Sequence, residues 1–266
     1  MKSDTHELME SATINPYLIA ANNILSRLLW DLNAESWRSR RKILSWKNRY
    51  MGQKAVIVCN GPSLLKTDLR ILQDTFTFGL NKINLLFDKS DFRPSCIVAV
   101  NTFVIEQNAE YYRETDIPLF IDSFGIHHIK PRKNIVFLHS SNHHKFSRDC
   151  SLSIFQGATV TFVAMQLAFH MGFKNIALIG CDHNYSRKGP AHQIVVADEK
   201  DDNHFDPTYF SGGAKWQLPD LIHSELSYSM ARDVFQRYGR NIYNATEGGS
   251  LELFPRIHLQ NFIEEI

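Results

Sequence analysis

Three asparagines and an aspartate stand where apolar, β-branched runs end. Asn60 follows 54–59, Asn81 follows 75–80, Asn101 follows 95–100, and Asp182, with His183, Asn184 and Tyr185, follows 175–181. Such groups bind polar ligands and move protons, and in a parallel sheet the strand ends that carry them share one edge. A single asparagine after a strand is usually a turn former, but four polar strand ends beside a glycine turn define a crevice. That turn is Asn60-Gly61-Pro62-Ser63-Leu64. Gly61 is expected to let backbone approach a ligand without a Cβ collision, and Ser63 to cap a following helix whose first amides favour an anion. The turn is neither the six-residue dinucleotide fingerprint nor the lysine-bearing triphosphate loop.

The stretch from Asp182 to Pro219 is too long for a simple connection and too rich in histidine and aromatics for a passive linker, so 183–219 reads as a lid. In it, Tyr209 and Trp216 suit stacking on a base or sugar, Arg187 and Lys188 suit phosphate, and His204 suits proton abstraction. The acidic run 198–202 reads as a solvated loop before a divalent-ion site. Pro219-Asp220 open a helix running to about Gly239, with His223 in its first turn, where a helix N-terminus favours the neutral imidazole a general base needs.

These groups need a scaffold. Strand-like runs at 54–59, 75–80, 95–100, 118–122, 134–138, 175–180 and 241–244 alternate with helical or loop segments, which predicts an α/β, Rossmann-like, mostly parallel sheet with helices on both faces. Residues 159–172 are apolar almost all round, as in a helix buried against the sheet and ended by Gly172; His170 within it reads as a core residue. Residues 1–52 form a helical extension, and 53–266 the ligand-binding domain. In the extension Leu18, Ile24, Leu25, Leu28, Leu29 and Leu32 recur at helical spacing and are expected to pack on the main domain. Residues 37–49, basic with two tryptophans, suit a solvated helix face, or peripheral contact with an anionic membrane.

A net charge of +1 gives no reason to expect nucleic acid. Cys59, Cys96, Cys150 and Cys181 lie far apart with no CxxC pair, which argues for buried thiols in a reducing compartment. No signal-like segment or spanning run appears, so the expected location is cytoplasmic, with the inner membrane face open through 37–49. Self-association stays open.

The ordered motifs Asn60-Gly61-Pro62-Ser63-Leu64, Phe78-Gly79-Leu80-Asn81, Gly157-Ala158-Thr159-Val160-Thr161, Gly172-Phe173-Lys174, Ile179-Gly180-Cys181-Asp182-His183-Asn184-Tyr185, Asn203-His204-Phe205, Trp216-Gln217-Leu218-Pro219-Asp220 and Ile242-Tyr243-Asn244-Ala245-Thr246 resemble the MptE-like domain family. That family is named for a 6-hydroxymethyl-7,8-dihydropterin pyrophosphokinase, and its bacterial members often accompany surface-glycan or flagellin-glycosylation functions. The chain is more distantly similar to bacterial sialyltransferases that use CMP-sialic acid. That second resemblance implies Asn60, Gly61, Pro62, Ser63, Asn81 and Asn101 as nucleotide and phosphate binders, with Gly157, His183 and Asn184 beside the donor. It implies Thr159 or Thr161 on the donor carboxylate, Tyr185 on the leaving phosphate, and His204 or His223 as base. A CMP-sugar donor, a glycan or lipid-linked acceptor and no required cofactor follow. The pyrophosphokinase resemblance implies ATP and Mg²⁺ instead, with Asp182 as a metal ligand, and a non-catalytic nucleotide-sugar-binding module is the third reading.

Overall fold

The computed structural model describes residues 15–185, 189–197 and 199–266. After helices α1 (Pro16–Asp31) and α2 (Ala34–Leu44) come strands β1 (Lys54–Val58), β2 (Phe76–Leu80) and β3 (Cys96–Ala99), helices α3 (Thr102–Gln107) and α4 (Ala109–Glu114), and strands β4 (Leu119–Asp122) and β5 (Ile135–Leu138). Helix α5 (Val160–Met171), strand β6 (Asn175–Ile179), the short strands β7 (Ile194–Val196) and β8 (Lys215–Gln217), helix α6 (Leu221–Arg237), strand β9 (Asn241–Asn244) and helix α7 (Leu259–Glu265) follow. The main sheet has the order β5-β4-β3-β2-β1-β6-β9. Every pairing in it is parallel. The chain builds outward from β1 to β5, then returns to lay β6 on the other side of β1, so β1 and β6 flank the topological switch point.

Strands buried on both faces read as continuous apolar runs, and period-2 alternation divides them between two cores. Ala55 and Ile57 face the core shared with α5 and α6; Val56 and Val58 face the core that holds Phe262 of α7 and the lid aromatics. Helix α5 crosses the first face with eleven of its residues buried, which explains its all-round apolarity. Thr159 caps its start, and Gly172 at φ 96° closes its end in the left-handed region. His170 is a core residue: its Nδ1 accepts from the Cys150 amide at 3.3 Å and its Nε2 lies 3.0 Å from the Ile43 carbonyl. All four cysteines are buried and free.

Helix α2 is built into the α/β body. Its Ser39 hydroxyl accepts from the Phe137 amide at 2.9 Å, and the Arg38 guanidinium donates to the Arg132 and Ile135 carbonyls at 3.0 and 2.8 Å. These side chains satisfy the backbone edge that β5 would otherwise leave open.

Helix α1 corrects the sequence expectation. Leu18, Ile24, Leu25, Leu28, Leu29 and Leu32 do not pack inward; they are exposed. Trp30, stacked on His139 at 6.1 Å, is the buried residue of α1, while Arg27 turns toward Asp31 and the Leu152 carbonyl. Those polar contacts decide which face of α1 meets the body. Among the described residues, no helix is long and apolar enough to cross a membrane.

Two outcomes follow. Replacing exposed Leu25 and Leu29 together by serine is expected to change stability by less than about 1 kcal/mol, whereas Leu167→Ala, inside α5, costs about 2–5 kcal/mol; urea unfolding distinguishes them. Burial, with repulsion from Arg27, holds the His139 imidazole down from 6.5 to about 4. The folded protein therefore refuses a proton that the unfolded chain accepts. This contribution is intact above about pH 6.5 and is lost as pH falls toward 4, on the order of 2 kcal/mol. Unfolding series at pH 7.5 and at pH 4.5 are expected to show that loss, and His139→Gln to shrink it.

Candidate active site

The sheet places Asn60 at the end of β1, Asn81 at the end of β2, Asn101 after β3 and Asp182 after β6 on one rim, and all four line a single cavity of about 270 Å³. That volume is close to the lower limit of small-molecule sites. Gly61, Thr159, Thr161, His183, Asn184, Tyr185 and His204 also line it; Pro62, Ser63, Gly157 and His223 do not.

The glycine turn works differently from its sequence expectation. Residues Pro62–Lys66 form a short 3-10 turn capped by Gly61 with no side-chain bond, so Ser63 is not a helix cap. Instead the Ser63 hydroxyl and amide donate to Asp182 Oδ2 at 2.9 and 3.1 Å, and the Gly61 amide donates to the Gly180 carbonyl at 2.8 Å. A Cβ on Gly61 would stand 1.9 Å from Asp182 Oδ2 and 2.7 Å from the Gly180 oxygen. Glycine is required here because the Gly180 carbonyl and the Asp182 side chain, just past the end of the parallel neighbour β6, lie against the turn, and the chain's own carboxylate occupies the amide a phosphate would have used. Gly157, at φ 58°, is likewise a packing position, since a Cβ would collide with Ser227 and Phe162.

Asn60 is 8% exposed; its amide donates to the Leu80 carbonyl at 3.0 Å and to the Tyr209 hydroxyl at 3.2 Å. Its Oδ1 is buried and has no hydrogen-bond donor among the described residues. Leaving such an oxygen unsatisfied costs about 1–3 kcal/mol, a deficit that a ligand donor would relieve. Asn81 sits at φ 47°. Asn101 caps α3 by accepting from the Val104 amide at 3.2 Å, and its own amide reaches Gln217 at 3.5 Å.

The segment read as a lid contains two short strands that its sequence did not announce: β7 and β8 pair antiparallel. Its aromatics pack on one another, not into open solvent. Trp216 stacks on Phe210 at 5.5 Å, and Tyr209 stacks on His204 at 3.9 Å with rings 1° from parallel. Lys82 ties this wall to the sheet, donating to the Tyr209 carbonyl at 2.6 Å and to Gln107 at 2.8 Å beneath the Phe210 ring. Burial lowers its ammonium to about 8. Arg187, Lys188 and Asp198 lie outside the described residues.

His204 Nδ1 lies 2.7 Å from Asp201 Oδ2. Asp201 also accepts from the amides of Asn203 at 2.8 Å and Phe210 at 3.2 Å. Burial pushes the Asp201 carboxyl up, but His204 and the two amides hold it below the usual carboxylate range. An ionised Asp201 accepts the Nδ1 proton and leaves Nε2 as the basic nitrogen of His204. Within the acidic run Glu199, Lys200 and Asp202 are exposed, as a solvated loop requires, and Asp201 departs from that reading as the buried partner of a histidine. Its spacing of three from His204 was the only sequence signal for this pair.

Tyr185 has its phenol pushed up by burial and so remains a donor at neutral pH. Thr159 and Thr161 bring the N-terminus of α5 to the cavity, with the Thr159 hydroxyl 3.4 Å from that of Tyr228. His183 Nε2 is 3.0 Å from Glu225. His223 stands outside the cavity wall, half exposed, with Nδ1 3.0 Å from Asp220. Of the two candidate bases, His204 alone faces the crevice.

The sheet order and the switch-point cavity make this a Rossmann-like α/β protein. The chain belongs to the MptE-like family, described as 6-hydroxymethylpterin diphosphokinase MptE-like, which it matches over residues 31–188. Among solved structures it is similar to the MAf glycosyltransferase from Magnetospirillum magneticum AMB-1, with a TM-score of 0.50 and 16% identity. The similarity covers 86% of this chain and 39% of that one, a likeness of fold. No curated protein matches the chain.

Gly61→Ala is expected to lower Tm by roughly 5–10 °C, from about 2–3 kcal/mol of collision at the switch point. An unchanged melting curve would mean that Asp182 is not held against the turn.

Proposed function

We propose that this protein is a glycosyltransferase that moves a sialic, legionaminic or Kdo-type acid from a CMP-activated donor to a glycan or lipid-linked hydroxyl, with inversion. The observation that carries the reading is His204, held through Nδ1 by the buried Asp201, lining the same cavity as the strand-end asparagines. Asn60, Asn81 and Asn101 hold the nucleotide. Thr159 and Thr161, at the N-terminus of α5, receive the donor carboxylate, where amide dipoles favour negative charge. His204 Nε2 takes the acceptor hydroxyl proton, the oxygen bonds to the anomeric carbon, and the bond from that carbon to the phosphate oxygen breaks to release CMP. Tyr185 donates to the phosphate as charge grows there. Asp201 keeps the ring in the required tautomer. Because Asp182 already occupies the Ser63 amide, the phosphate is assigned to Tyr185 and not to the glycine turn. A lipid-linked acceptor would be met at a membrane face by the exposed apolar residues of α1 and the adjacent basic α2.

The Asp182 carboxylate at the turn favours one second reading, diphosphoryl transfer from ATP with Asp182 as a ligand to Mg²⁺, in keeping with the family description. Calorimetry of CMP, CDP, UDP and ATP, with and without Mg²⁺, separates the two. Glycosyl transfer predicts CMP binding without metal and CMP-sugar turnover reduced about 10²–10⁴-fold in His204→Ala, with His223→Ala changed less than about threefold. ATP converted to AMP only with Mg²⁺ selects the second reading. CMP binding without turnover, unaltered by His204→Ala, selects a non-catalytic module.

A further inference from the structure

The mouth of the cavity carries a cluster that the proposed transfer does not use. His192, Asp220 and His223 each offer one ligand atom, and these atoms lie within 4.8 Å of one another. Asp220 Oδ2 is the hub, 3.3 Å from His192 Nε2 and 3.0 Å from His223 Nδ1. Two chain segments distant in sequence supply the set. His192 precedes β7 of the lid hairpin, where its amide donates to the Leu218 carbonyl at 3.0 Å, and Asp220 and His223 begin α6.

Two further features hold these donors in place. Asp220 Oδ1 accepts from the His223 amide at 2.9 Å as the cap of α6, which fixes the carboxylate and leaves Oδ2 turned to the histidines. His192 sits at φ 62°, in the left-handed region that costs a residue with a Cβ free energy and that concentrates at binding sites. Two imidazoles and a carboxylate are the donor set of zinc and of similar first-row divalent ions. Tetrahedral bonds of about 2.0–2.2 Å put donor atoms about 3.3–3.6 Å apart, so small side-chain shifts from the 3.3 and 3.0 Å contacts of Asp220 would admit an ion among the three donors.

We propose that His192, Asp220 and His223 form a binding site for a divalent transition ion of the zinc class, which pins the lid hairpin to the start of α6. Three protein donors leave the ion at least one further position, for water or a ligand oxygen, and His192 and Asp220 themselves line the cavity. The ion holds the hairpin end of the lid against α6, whereas His204 is placed by Asp201 and Tyr209. The proton transfer assigned to His204 proceeds without it, so this site stands apart from the transfer reading.

The test uses the full chain, stripped with chelator and titrated with Zn²⁺ by calorimetry and with Co²⁺ by visible absorption. One equivalent is expected to bind with micromolar or tighter affinity, to raise Tm, and to give a Co²⁺ spectrum of nitrogen and oxygen ligation. His192→Asn preserves the left-handed backbone, and Asp220→Asn preserves the helix cap, so both variants fold. Each is expected to weaken Zn²⁺ binding at least tenfold, whereas His127→Ala, on the exposed surface elsewhere, leaves it unchanged. Zn²⁺ and Co²⁺ that fail to bind at millimolar concentration, or that bind equally well to His192→Asn and Asp220→Asn, would overturn the site.

Discussion

Asp182 bonded to the Gly61–Ser63 turn is the contact on which the site depends. It joins the end of β6 to the end of β1 at the one place where strand order reverses and the sheet opens a crevice. The carboxylate satisfies the amide and hydroxyl of Ser63, and only glycine at 61 leaves room for it. A turn that in many α/β proteins welcomes an anion here receives one from its own chain. In the proposed transfer this is why the anionic groups of the donor are assigned to Tyr185 and the start of α5 and not to the turn after β1.

The opposite wall is assembled by packing. The lid returns over the sheet edge because Phe205, Tyr209, Phe210, Trp216 and Leu218 bury themselves in the core on that face, with the Lys82 ammonium held among the Tyr209 carbonyl, Gln107 and the Phe210 ring. Desolvating a lysine is costly unless its donors are satisfied, and here they fasten wall to floor. His204 owes its placement to the same arrangement: its ring lies flat on Tyr209 and its Nδ1 meets Asp201, so both orientation and tautomer are set before a ligand arrives.

Outside the crevice, the body is closed at one edge by α2, whose Arg38 and Ser39 occupy backbone groups of β5. Helix α1 is the exception to the burial rule. Its leucines face outward, an apolar stripe beside a basic helix, and large exposed apolar patches of this sort mark surfaces that meet something else.

The sequence by itself determined the parallel sheet and the shared rim. Apolar runs of four to six residues ending in Asn60, Asn81, Asn101 and Asp182 allow little else once β-branched strands alternate with helices. The all-apolar α5 and its Gly172 stop were legible for the same reason: local pattern and φ preference act within a few residues. What only the tertiary structure decided were contacts between distant residues that composition does not encode. Ser63 read as a cap but bonds Asp182; Asp201 read as solvated but is buried against His204; the leucines of α1 read as inward but are exposed; the β7–β8 pair was not announced by the long histidine- and aromatic-rich stretch that holds it. Whether a carboxylate caps, pairs or coordinates depends on which chain segment comes to lie within about 3 Å of it, and that is fixed by the packing of the whole molecule.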